Sequence, residues 1–480
     1  MKRIKILALI ATMAVGAIAC SNFEDINTDP NRLTKVNPGS LLNPILYNLA
    51  IFNWNRADDF TFDLMQVSVP TNSLGGVSRY YMSDAAGNST WNSYYKWLSN
   101  INEMERQADA LNDPNYKAIA ITLRSWVYQL LTDCFGDIPM SEALQGTSGL
   151  FKPKFDTQKE VYTAIINDLD KANTLFDDTK GLAYNADGEL LYLTSNQLTA
   201  GKSAGIAKWR KFCNSLRLRV LLRVLGKDTE MGSKAKLQQM LNSPTTYPIF
   251  QSNDDAALLS ISGVFPQDAP MTRPQDFTSY RAVASSFIDT LNAWNDPRRP
   301  IFCTPVVDQY IGWPSGYDIA PSTAASNLNQ NLAKTPSKVV LMSYAEVELI
   351  RAELAIRDIT PNVSAEDAYR RGVTAAIAQW GGVVPPTYFN NPAVKYRGTL
   401  QQVLTQKYFA LFFCDYQQWF EYLRTGYPIL PRGKGVPDGN QMPFRLKYPQ
   451  TIQSTNATNY KAAVSSMGGD SFSTMLWWQK

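Results

Sequence analysis

The sequence predicts a mostly α-helical fold built from helix pairs, and three observations carry that reading. Apolar residues recur at three- and four-residue spacing in several separate segments, as on one face of a helix. Four of those segments open on Ser or Thr, with Glu, Asp or Gln three residues later. That is the box in which two side chains satisfy the unpaired N–H groups of a helix start. Short breaks separate neighbouring segments, as in helix pairs that stack into a solenoid of the tetratricopeptide kind. The full consensus of such a repeat is not present.

Taken in order, the chain opens on Lys2, Arg3 and Lys5, followed by an apolar run from Ile6 to Ala19 and then Cys20. This is the layout of a secretory signal peptide, 1–19, with a cysteine as the new N-terminus. Ala17-Ile18-Ala19 supplies the small residues before the cut. Acyl chains on the Cys20 thiol would hold the protein on a membrane at about 0.8 kcal/mol per buried CH₂. The run is shorter than the ~20 residues a spanning helix needs. Residues 20–38 read as a polar tether, and 39–480 as a single globular domain whose first helix starts near Leu41.

Ile119, Leu123, Trp126 and Leu130 form the next clear stripe, stopped by Gly136 and Pro139. Val161, Ile165 and Leu169 follow behind Thr157…Glu160. Trp209, Phe212, Leu216 and Val220 line another helix, whose Arg217, Arg219 and Arg223 should pair with carboxylates of neighbouring helices. Ala345, Leu349, Ala352 and Ile356 follow Ser343…Glu346. Tyr369, Val373, Ala376 and Trp380 follow Ser364…Asp367. Leu404, Tyr408 and Leu411, behind Thr399…Gln402, begin the last long helix.

Composition narrows the chemistry. The 480 residues include no histidine, which excludes Ser-His-Asp and Cys-His catalysis and HExxH zinc sites. Cys134, Cys213, Cys303 and Cys414 form no CxxC pair, so no zinc site or other metal site is read. The first three of these except Cys303, together with Cys414, lie in helix-like apolar surroundings that suggest buried thiols; two disulfides remain open. Loss of 1–19 removes three basic residues and no acidic one, leaving a nearly neutral chain with no basic surplus for nucleic acid. Asp58-Asp59 and Asp254-Asp255 read as solvated pairs, and Trp477-Trp478 as an anchor for the tail. No cofactor is expected.

Long irregular stretches at 70–91, 181–201, 260–280, 303–337 and 425–460 separate the helical blocks. Loops of this length are functional or disordered, and aromatic-rich ones argue against disorder. Two clusters suit a saccharide, whose C–H faces stack on rings and whose hydroxyls need polar partners. One is Arg79, Tyr80 and Tyr81 with Asn88 and Trp91. The other is Arg273, Gln275 and Tyr280, flanked by Phe265 and Phe277, with Tyr310, Trp313 and Tyr317. Gly312-Trp313-Pro314-Ser315-Gly316-Tyr317 fixes two rings on a turn-forming frame. The two clusters are expected to face one another across one groove.

The ordered fragments carry a family likeness. They are Cys20 with Phe23-Glu24-Asp25 and Asn27-Thr28-Asp29-Pro30-Asn31, then Trp91-Asn92-Ser93-Tyr94-Tyr95 with Asn100-Ile101-Asn102. Phe135-Gly136-Asp137-Ile138-Pro139, Trp209-Arg210-Lys211-Phe212 and Met342-Ser343-Tyr344-Ala345-Glu346 follow. Trp419-Phe420-Glu421-Tyr422-Leu423-Arg424-Thr425-Gly426-Tyr427-Pro428 and Tyr448-Pro449 complete the series. In this order the chain resembles the SusD/RagB family of outer-membrane nutrient-binding lipoproteins. The resemblance implies a SusD-like fold, with tetratricopeptide-like pairs as scaffold and a loop-rich ligand-binding part. It also implies a surface lipoprotein of the outer membrane that captures oligosaccharide or peptide, without catalysis, for a SusC-type TonB-dependent transporter. Two rival readings are a glycoside hydrolase, which would need two carboxylates roughly 5–9.5 Å apart, and a scaffold lipoprotein that binds only proteins.

Overall fold

In the computed structural model, residues 36–360 and 362–480 are described. The signal peptide, Cys20 and nearly all of the tether lie outside those residues. α1 (Pro38–Arg56) packs on α2 (Asn88–Ala110), α2 on α3 (Pro114–Phe135), α3 on α4 (Gln158–Leu175), and α4 on α5 (Ala204–Arg223). α5 also carries the short α6 (Ser233–Asn242). It meets a second helical group made of α8 (Tyr344–Ile356), α9 (Ala365–Gln379) and α10 (Leu400–Ala410). Between the two groups in sequence lies α7 (Ser285–Trp294); α11 (Gln417–Thr425) and α12 (Ala457–Met467) come last. Pro38–Lys480 forms one compact unit, and none of the described helices is long and apolar enough to cross a membrane.

The helix starts form as their sequences dictate. Thr157 and Glu160 make a complete reciprocal box at α4. Ser343, Ser364 and Thr399 each accept the N–H three residues on, at 3.0, 3.2 and 3.4 Å. Asp113 caps α3 with Pro114 in its first turn, where proline's missing N–H costs nothing. Gly136 ends α3 at φ 88°, donating to the Thr132 carbonyl. α3 differs from its amphipathic reading. It is central to the stack, and only Pro114, Lys117 and Arg124 escape full burial.

The last long helix is interrupted. α10 ends at Ala410, Phe413 and Asp415 turn left-handed at φ 61° and 37°, and the chain restarts as α11. Ring packing explains the break. Phe412 stacks on Phe302 at 4.1 Å and on Phe62 at 4.9 Å, while Phe413 lies 5.1 Å from Trp54. A continuous helix would carry both rings past those partners.

The expected arginine pairings are present. Arg217 meets Asp170 at 2.8 Å, and Arg219 meets Glu346 at 2.6 Å. Arg223 lies 3.4 Å from both Asp133 and Glu421. Glu421 also binds Lys407 and Arg424, each at 2.7 Å, and Arg424 reaches Glu353 at 2.7 Å. This chain of buried charges ties α3, α5, α8, α10 and α11 together. The four cysteines named above are buried free thiols, and burial pushes each thiol's pKa up. Trp478 is buried against Arg223, so the aromatic pair anchors the tail.

Candidate functional site

A short strand pair builds the frame. β1 (Ser68–Pro70) runs antiparallel to β2 (Arg281–Val283), with Ser68 opposite Val283 and Pro70 opposite Arg281. The Thr71 N–H extends the ladder to the Tyr280 carbonyl at 2.8 Å. Trp313 joins the other side of β2: its N–H donates to Val283 at 2.9 Å and its carbonyl accepts from Ser285 at 2.7 Å. The Tyr317 hydroxyl then donates to the Pro70 carbonyl at 2.9 Å. Arg79 donates to the Tyr317 carbonyl and lies 5.7 Å from that ring's centre. Thus the loop after β1, the approach to β2 and the 312–318 turn are pinned to one another.

Tyr81 and Tyr280 project from this frame, 68% and 70% exposed. Tyr280 holds φ at 56°, a left-handed conformation that costs a bulky residue on the order of 1–3 kcal/mol. Trp313 is half-buried. Its edge meets Tyr317 at 5.6 Å and 82°, and its Nε1 donates to Thr323 O at 3.0 Å. The remaining rings fall elsewhere. Tyr317 is 4% exposed and serves as a strut. Tyr80, also left-handed, turns its half-buried ring inward beside Gln66, and burial raises its hydroxyl's pKa. Phe277 is core against Trp54.

Trp91 is separated from Tyr80 and Tyr81 and packs with Tyr95, Phe135 and Tyr448. It follows the start of α2, and the helix carries its ring into the interior. Asn88 lines a different, polar cavity. Tyr310 lies under Arg299 at 4.8 Å. Arg273 is exposed and paired with Asp276 at 2.8 Å, and Gln275 is exposed in the same turn. The structure therefore links Arg79, Tyr317, Trp313 and the Tyr280 backbone in one frame, with Tyr81 two residues after Arg79, while Asn88, Trp91 and Tyr310 take their contacts elsewhere.

The sequence reading missed a fourth segment. Asn440 donates to the Arg79 carbonyl at 3.1 Å, and the Gly435 N–H donates to Gly316 O at 2.8 Å. Arg432 braces this turn by donating to the carbonyls of Val436, Pro437 and Asn440. A Cβ on Gly433 would lie 2.1 Å from the Ser315 carbonyl, so only glycine permits the approach. Arg432-Gly433-Lys434-Gly435 inside an irregular stretch was the available signal. A cavity of about 440 Å³ lies instead among α2, α3 and α4, and none of the loop rings lines it. Its Arg124 is occupied by Glu105 and Asp168.

The family profile described as "Starch-binding associating with outer membrane" matches residues 30–449. The chain belongs to the SusD-like family. Among solved structures, this SusD-like chain is similar to a chitin-binding protein at 25% identity, with a TM-score of 0.76, over 92% of this chain and 100% of that one. A SusD homologue of Bacteroides fragilis shares 23% identity, with a TM-score of 0.77 over 93% and 100% of the two chains. Another from Bacteroides uniformis shares 23%, with a TM-score of 0.75 over 92% and 99%. A comparison with curated proteins found no match. The chain thus has the mostly helical SusD-like fold and belongs to a family described as starch-binding and associated with the outer membrane.

Proposed function

We propose that this SusD-like protein is a non-catalytic, surface-exposed receptor for oligosaccharide that hands its ligand to a SusC-type TonB-dependent transporter. The observation that carries the reading is two outward rings, Tyr81 and Tyr280, on segments that hydrogen bonds tie to the turn bearing Trp313. Exposed rings held at little entropic cost suit the apolar faces of sugars. The description of the family, and the chitin-binding relative at 25% identity, favour saccharide over peptide. Asp276 is engaged by Arg273, and Asp318 accepts the Ile319 N–H, so the carboxylates in these turns have structural partners and we assign no reaction to them.

Calorimetric titration with chito- and malto-oligosaccharides tests the reading. Tyr280→Ala should weaken binding by ~1–3 kcal/mol, as for loss of a stacked ring at a hot spot. No imidazole titrates between pH 5 and 8, but Asp58, raised to about 6 by burial, pairs with Arg281 beside Tyr280. Affinity for a neutral sugar should therefore stay flat from pH 7 to 8, and comparison with pH 5 reads that pair. Equal affinity of Tyr280→Ala and the parent chain would remove the ring from the site, and binding of peptides alone would reassign the ligand.

The anchor completes the proposal: Cys20 becomes the acylated N-terminus. Intact mass of membrane-extracted protein should show a chain starting at Cys20 plus acyl mass. A mass matching unmodified Cys20 would refute the anchor and leave secretion standing.

A further inference from the structure

A second cavity, of about 370 Å³, opens at the start of α2, between residues 447–453 and α12. None of the exposed loop rings lines it. We infer that it is a second saccharide subsite, taking a single neutral sugar ring; this rests on the saccharide reading above.

The lining argues for a polyol. A sugar hydroxyl donates and accepts at once, so its site must offer both. Gln450, Gln453 and Asn88 supply amides, Tyr460 a hydroxyl, Lys447 an ammonium and Asp470 a carboxylate. The Asn88 Oδ1 atom is buried and has no hydrogen-bond partner in the protein. A buried acceptor left unmade is costly, on the order of 1–3 kcal/mol, and a ligand hydroxyl would satisfy it. The groups around it are braced. Asp470 accepts from Arg445 at 2.6 Å and from the Tyr460 hydroxyl at 3.0 Å. Gln453 donates to the Tyr448 carbonyl at 3.3 Å. Lys447 reaches Asp84 at 2.7 Å, and Asp84 is 82% exposed on its side chain, so this pair sits at the rim.

Lys447 is paired with Asp84 and Asp470 with Arg445, so the charges at the cavity compensate one another, which suits a neutral ligand.

Free glucose and N-acetylglucosamine are the probes, followed by saturation-transfer NMR and calorimetry on the full-length protein. Both the parent chain and Tyr280→Ala should bind one of these monosaccharides, because the cavity is independent of the loop rings. Asn88→Ala and Gln453→Leu should each weaken that binding about tenfold or more, with oligosaccharide binding at the loops retained. Two substitutions guard against one that fails to fold, checked by thermal melts. Absence of monosaccharide binding to the parent chain would overturn the subsite. So would its loss in Tyr280→Ala with both cavity variants unaffected. If no oligosaccharide binds the loops while a monosaccharide still binds in an Asn88-dependent way, the loop assignment fails and the subsite stands.

Discussion

Replacing Glu353 with alanine is expected to cost ~3–5 kcal/mol of stability, the range for removing one partner of a buried ion pair. Glu353 is fully buried on α8 and accepts from Arg424 at 2.8 and 2.7 Å and from Arg357 at 3.0 Å. Without it, Arg424 keeps only Glu421, in a site where the two side chains are just 9% and 10% exposed. Burial alone would raise the Glu353 pKa, but Arg424 and Lys407 outweigh it and hold the carboxyl below its ordinary 4.5. Glu421 is held lower still by the same cations and Arg223. A folded pKa below the unfolded value stabilises above about pH 4.5 and loses that stability as pH falls. Asp58, which is buried against Arg281 and not solvated as its sequence suggested, and Asp415 act oppositely. Burial raises each to about 6, so each takes up a proton on folding and its contribution fades as pH rises from about 4 to 6. Denaturant melts at pH 7, at pH 4.5 and near pH 3 decide the matter. Protonation of Asp58 and Asp415 offsets losses down to about pH 4.5. Below it the parent chain should lose the contribution of the Glu353 and Glu421 pairs, and Glu353→Gln should lose less. A Glu353→Ala variant as stable as the parent at pH 7 would show that the network contributes nothing.

Trp126→Ala should cost ~3–5 kcal/mol through the cavity it leaves. The side chain is fully buried on α3, the helix that α2 and α4 both cover. Its Nε1 has no hydrogen-bond partner, so the cost is one of packing. Trp313→Ala should lose far less stability, because that ring is half-buried on a turn. It should instead weaken oligosaccharide binding. Paired melts and titrations separate the two roles. If Trp313→Ala melts as early as Trp126→Ala and binds normally, Trp313 is a core residue and the site must exclude it.

Much of the scaffold was legible because helix starts and stripes are local. The box at Thr157 and Glu160 and the stop at Gly136 need only neighbours along the chain. The break after Ala410 was not legible. Nothing within the Leu400–Ala410 helix opposes continuation; the cause is Phe302, Phe62 and Trp54, distant in sequence, which capture Phe412 and Phe413. The strand pair Ser68–Pro70 with Arg281–Val283 was likewise hidden, since each segment is only three residues long.

The candidate site divides along the same line. By itself the sequence determined which segments are rich in rings, that no histidine chemistry is available, and that the arginines of α5 would seek carboxylates. Only tertiary structure decided which rings remain outside. Tyr80 and Tyr81 are adjacent, yet the first turns to Gln66 and the second to solvent. Tyr280 is 70% exposed while Phe277, three residues earlier, is fully buried. Residue type sets what a side chain can bind. Whether it faces a ligand or the core depends on backbone direction, and here that direction is fixed by hydrogen bonds from Thr71, Trp313 and Tyr317 to residues far away in the chain.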